Sequence, residues 1–191
     1  MLQLAGGTTA VGLAGCSGSD SHDDHSHDDG GHGDDSHGDH EHSEDIGEPV
    51  ESADVSMVSM DDGDHFDPHV VRIERGGSVS WTNESGSHSA TAYHSANGKP
   101  QLAPEEATAW DSGVISEQGA AFDHTFETEG VYHYFCTPHE TGGMIGSVIV
   151  GHPDPDQQPA LNDPPSEKSE AVREKLATLN EKIRTALEDD S

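Results

Sequence analysis

Basic residues are scarce in this chain: eight Lys and Arg stand against 38 Asp and Glu in 191 residues, a formal net charge of −30. With no cationic patch to neutralise phosphates, nucleic acid is excluded as a partner. Cysteine is rarer still. Only Cys16 and Cys136 occur, in surroundings so different that a disulfide between them is not expected. Aromatic residues make up 5% of the chain, which together with the charge would describe a disordered protein. That description fails for the middle of the sequence, where Val, Ile, Trp, Tyr and Phe recur at strand spacing. The remaining source of so acidic a balance is adaptation to concentrated salt. At molar ionic strength the Debye length is ~3 Å, and carboxylate repulsion is largely screened.

Long apolar runs are also missing. The stretch from Met1 to Leu13 is too short to span a bilayer, which takes about 20 apolar residues. Residues 1–16 suit the apolar part of a signal peptide, ending in the lipobox-like Leu13-Ala14-Gly15-Cys16, so Cys16 is the candidate for lipidation. No basic residue precedes Cys16. The charged start of such a signal, a twin-arginine one among the options, is therefore expected upstream of Met1. The expected location is the extracytoplasmic face of the cell membrane, with the secreted protein held there by a lipid anchor.

Residues 17–52 are Asp, His, Gly and Ser with almost nothing apolar, and they include His22, His25, His27, His32, His37, His40 and His42. Such a segment cannot bury enough surface to offset its ordering entropy, so a disordered tether is expected. His-rich tracts also bind metal loosely. Residues 53–152 then turn to a β pattern. Residues 70–74 and 78–82 read as two strands joined by a turn at Arg75-Gly76-Gly77, and residues 121–128 alternate with Phe122, His124 and Phe126 on one side. Residues 131–135 and 146–150 read as further strands, and residues 96–118 as a long loop with one helical turn. Short strands separated by turn residues make an all-β sandwich or barrel. Residues 153–191 form a Pro- and Asp-rich linker followed by a short amphipathic helix. Its stripe is Val172, Leu176, Leu179, Ile183 and Leu187, and Ser166 is the expected cap. The helix packs on the domain in the simpler reading, or pairs with another helix in the sharper one.

The chemistry is concentrated in Cys136-Thr137-Pro138-His139-Glu140-Thr141-Gly142-Gly143-Met144. A thiolate and two imidazoles in a trigonal arrangement, with a long weak bond to Met, form a blue-copper site. Three such donors within nine residues of one loop supply Cys136, His139 and Met144, with Gly142 and Gly143 allowing the loop to close. The fourth donor must come from elsewhere. His88, in Ser85-Gly86-Ser87-His88-Ser89, is the first candidate and His94 the alternative. His133 is out of phase with Cys136 on its strand, and His65 and His69 read as surface residues. Structural zinc prefers further Cys or His over Met. A dinuclear copper centre would need a second Cys in the loop, and no His-x-His pairs of the multicopper kind occur in the domain.

These residues resemble the cupredoxins, the plastocyanin/azurin type of blue copper protein, and among them the halocyanins of halophilic archaea. The resemblance runs over residues 54–151, through Phe66-Asp67-Pro68, Gly76-Gly77-Ser78-Val79-Ser80-Trp81, Ser87-His88-Ser89, residues 130–139 and Gly143-Met144-Ile145-Gly146. It implies an eight-stranded Greek-key β-sandwich, one type 1 copper held by His88, Cys136, His139 and Met144, and a one-electron carrier rather than an enzyme. The expected partners are redox proteins of a membrane respiratory chain, met transiently by a monomer. One departure concerns Ser89: many members carry Asn after the first His, hydrogen-bonding across to the Cys loop. The alternative function is copper binding and delivery, with the His-rich tether as the working part.

Overall fold

A computed structural model describes residues 46–189. Cys16 and the greater part of the expected tether, with its seven histidines, lie outside them. The strands are β1 (Val50–Met60), β2 (Gly63–Asp67), β3 (Val70–Asn83), β4 (Thr91–Ala92), β5 (Ala121–Thr125), β6 (Gly130–Phe135) and β7 (Ile145–Val150), and one helix follows, α1 (Glu170–Glu188). Seven strands thus form among the described residues, where the resemblance implied eight. β1 also starts earlier than the expected domain boundary at residue 53. Val50 and Ser52 already pair with β3.

The sheet order is β2-β1-β3-β7-β6-β4, with β5 on β3. The pairings β1–β3 and β3–β7 are parallel and the others antiparallel. Parallel neighbours cannot be joined by hairpins, so the chain crosses between two layers in Greek-key fashion. β3 is the hinge of this arrangement. Its first half, from Val70 to Ile73, pairs with β7, and its second half, from Ser78 to Thr82, pairs with β1 and β5. The turn expected at residues 75–77 is therefore a bend within one strand. Gly76 takes φ +84° there, a conformation that favours glycine. The flanking segments do not fold back on each other because each finds a different partner strand.

Side chains between the layers form one core around Trp81, which is fully buried and lies 5.2 Å from the Tyr134 ring and 5.9 Å from the Trp110 ring. A second core lies outside β6 and β7. Val131, Phe135, Ile145 and Ile149 are covered there by Tyr93, Leu102, Leu161 and the apolar stripe of α1. Every residue of β6 and β7 is consequently buried. All five residues of the expected helix stripe face inward, each stabilising by about 1.5–3 kcal/mol of gross transfer energy. The helix thus docks on its own domain. Its cap is Ser169, whose Oγ accepts from the Val172 amide, and not Ser166.

Candidate metal centre

Three elements deliver the donors. β6 ends at Phe135 and hands the chain to Cys136, and β7 begins right after Met144. The loop between them is closed at its base by Cys136 N donating to Met144 O at 3.1 Å, and internally by His139 N to Cys136 O at 3.1 Å and Met144 N to His139 O at 3.3 Å. Gly143, at φ +90°, makes the reversal that returns the chain to β7. His88 comes from the connection after β3. Its backbone exchanges two hydrogen bonds with Ile115, at 3.0 and 2.7 Å.

These elements bring three donor atoms together. His88 Nδ1 lies 3.1 Å from His139 Nδ1 and 3.7 Å from Cys136 Sγ, and His139 Nδ1 lies 3.5 Å from Cys136 Sγ. The centre of this triangle is about 2.0 Å from each atom, the length of a bond from a divalent metal to imidazole nitrogen. His88 and Cys136 are fully buried and Met144 is 1% exposed. The His139 side chain is 31% exposed and forms the outer edge. Met144 belongs to the same buried cluster as Cys136. Among the described residues, no other group of three His, Cys or acidic side chains is gathered in this way. His94, the alternative to His88, instead caps the 3-10 turn Ser95–Asn97, with Nδ1 accepting from the Ala96 amide. His124 stacks on Trp110 at 4.8 Å. His133 points to the opposite side of its strand, toward Ser147 and Asn180. His65 and His69, both expected at the surface, are half-buried and stack on each other at 6.1 Å.

The surroundings prepare the donors. Burial, with the neighbouring His139, lowers the His88 pKa and so keeps its ring neutral and able to donate a lone pair. His88 Nε2 lies 3.2 Å from Ser59 Oγ, which in turn donates to Asp64 Oδ1 at 2.6 Å. The ring therefore carries its proton on Nε2, leaving Nδ1 free to face the centre. The second Asp64 oxygen lies 3.6 Å from His139 Nε2, so one carboxylate stands over the outer edges of both rings. Burial raises the pKa of the Cys136 thiol, although hydrogen bonds from Ser89 and His139 act against it. Ser89 also performs the cross-loop task expected of Asn. Its Oγ accepts from Thr137 N at 2.8 Å, and its own N–H points at Cys136 Sγ at 3.4 Å. Ser59, Asp64 and a cluster around Glu140 were not anticipated. No local pattern marks them, because each meets the loop or His88 only through the tertiary fold.

Two borderline nitrogens, one soft sulfur and a buried thioether alongside suit copper better than any hard cation. The family described as copper binding proteins, plastocyanin/azurin family, matches residues 53–151, just over half of the chain. The chain belongs to that family, whose members bind copper. Its relatives include a halocyanin of Natronomonas pharaonis, 37% identical over 87 residues, covering 44% of this chain and 47% of the relative. A chloroplastic plastocyanin of Tetradesmus obliquus is 35% identical over 85 residues, covering 44% and 57%. The chain thus spans about half the length of these two relatives. Among solved structures, pseudoazurin from Methylobacterium extorquens AM1 superimposes with a TM-score of 0.56 at 25% identity, covering 69% of this chain and 98% of that one.

Proposed function

We propose that this protein is a one-electron carrier of the type 1 copper kind, with His88, Cys136, His139 and Met144 as the ligands. The observation that carries the reading is the triangle of two imidazole nitrogens and one thiol sulfur, closed to 3.1–3.7 Å. Bound copper would supply a Cu(II)/Cu(I) couple, and the protein's part is to hold the donors in one arrangement that suits both states. The loop hydrogen bonds, the Ile115 bridge and the Ser59–Asp64 brace fix the donors. Burial of His88, Cys136 and Met144 excludes water, which limits rearrangement when an electron moves. His139 is the partly exposed ligand and so the edge through which electrons pass to a partner. Contact there would be small and transient, as redox encounters are.

The wider setting is part of the same proposal. No helix among the described residues is long and apolar enough to cross a membrane, and lipidation at Cys16 would tether a monomeric domain to the outer face of the cell membrane. Its partners would be proteins of a respiratory chain, and its acidic surface would suit concentrated salt. The seven tether histidines favour a second reading, copper acquisition and delivery. The test of the main reading is the visible spectrum of copper-loaded protein. An intense thiolate-to-copper band is expected, lost in Cys136→Ser. A colourless copper complex, or a band that survives the substitution, would sink it. Deleting residues 17–45 separates the two readings: unchanged electron-transfer rates with slowed copper uptake would assign delivery to the tether.

A further inference from the structure

Residues beyond the family match at 151 are built against the ligand loop. Glu140 directly follows His139, and its side chain is only 13% exposed. It accepts hydrogen bonds from Lys168 Nζ at 2.6 Å, Lys99 Nζ at 2.5 Å and the Tyr93 hydroxyl at 2.9 Å. The two ammonium groups are themselves held over aromatic faces, Lys168 5.2 Å from the Tyr93 ring centroid and Lys99 4.4 Å from that of Phe135. The next residue of the tail, Ser169, donates to Thr141 O at 3.2 Å while capping α1. In the first turn of that helix, the Ala171 carbonyl stands 3.5 Å from where a Cβ on Gly143 would be. Glu140, Thr141 and Gly143 are thus backed in order by Lys168, Ser169 and Ala171.

This arrangement has a mechanical meaning. The loop from Cys136 to Met144 carries three of the four proposed ligands. Its own hydrogen bonds, among them Gly142 N to His139 O at 3.1 Å and Gly143 N to Glu140 O at 2.9 Å, hold its turns but do not anchor its outer side to the rest of the domain. Its outer side would otherwise face solvent, where a short Gly-containing loop samples many conformations. Charge-assisted hydrogen bonds to a largely buried carboxylate are the stronger kind and act over a narrow geometry. We propose that Lys168–Ala171, at the head of the docked C-terminal helix, is a positioning element of the metal site. It clamps Glu140, Thr141 and Gly143, so that His139 and Met144 stay at their donor positions and copper is retained. The inference rests on the ligand assignment proposed above.

The test is the rate at which the copper-loaded full chain loses its visible thiolate-to-copper band to excess chelator. Lys168→Met is expected to release copper at least fivefold faster, and Lys168→Arg to return the rate to within twofold of the parent. Leu187→Ala is the control. It loosens the same helix at its far end, and while the protein remains folded by circular dichroism its release rate should stay within twofold of the parent. Where Lys168→Met does not fold, Lys168→Gln makes the same comparison by removing the ammonium from Glu140 while keeping a polar side chain there. Unchanged release in the lysine variants, or equal acceleration by Leu187→Ala, overturns the clamp. A parent chain that takes up copper with no thiolate band overturns the ligand assignment instead.

Discussion

Replacing His133 by Gln and lowering the pH from 7 to 4 isolates one buried group whose charge the fold does not accommodate. His133 is fully buried on β6. Its Nε2 faces two acceptors, Asn180 Oδ1 at 2.8 Å and Ala160 O at 3.1 Å, and its Nδ1 faces Ser147 Oγ at 2.8 Å. Two acceptors require the proton on Nε2, so Nδ1 accepts from the Ser147 hydroxyl and the neutral ring is satisfied at both nitrogens. Burial lowers its pKa from 6.5 to about 4, against the raising influence of the Asn180 and Ala160 contacts. Between those values the unfolded chain binds more protons at this site than the folded one. The contribution to stability is therefore complete above about pH 6.5 and is lost as the pH falls toward 4. At 1.36 kcal/mol per pKa unit the loss amounts to about 3 kcal/mol. Urea unfolding of the parent and His133→Gln across this range is the assay. Subtracting the two cancels the many carboxylates, which titrate alike in both proteins. The advantage of the parent over the variant should shrink by about 3 kcal/mol between pH 7 and 4. A difference that stays constant with pH would refute the reasoning.

Two further outcomes follow from the surroundings of the site. Asp64→Asn removes a carboxylate standing 3.6 Å beyond His139 Nε2. Coulomb attraction of about 1–2 kcal/mol at an effective dielectric near 20, reduced for partial exposure, should raise the copper reduction potential by roughly 40–90 mV. Voltammetry reads this directly, and an unchanged or lower potential would contradict it. Ser89→Ala deprives the Thr137 amide of its 2.8 Å acceptor. It should cost about 1 kcal/mol in chemical unfolding of the metal-free protein, and Ser89→Asn should recover part of it. Equal stability of Ala and parent would show that the cross-loop bond contributes nothing.

The meeting of Cys136 and His139 was legible in the sequence because they lie, with Met144, close along the chain, where spacing alone restricts the geometry. His88 was legible for a different reason: it follows a strongly patterned strand, which brings it to the same end of the sandwich as the loop. The layer change in β3 was not legible. A Gly-Gly pair between two apolar segments is also the mark of a hairpin, and only the partner strands decide between the two. The start of β1 at Val50 was hidden behind Pro49 and acidic neighbours that continue the composition of the tether. The stripe of α1 was readable in the sequence but its docking place was not, because both faces of β6 and β7 become buried only once the tail has folded back over them. Ser59, Asp64 and Glu140 carry no local signal at all. Their roles exist only once segments far apart in the chain have met.

The passage of β3 through both layers also bears on how the proposed metal centre resists deformation. His88 follows the half of β3 that pairs with β1 and β5, whereas the loop from Cys136 to Met144 runs into β7, which pairs with the other half. Sliding one layer over the other would shear the donor triangle apart. A single unbroken strand that is hydrogen-bonded into both layers opposes that sliding along its whole length. The spacing of the donors is thus set by covalent continuity in β3 as much as by contacts at the centre itself.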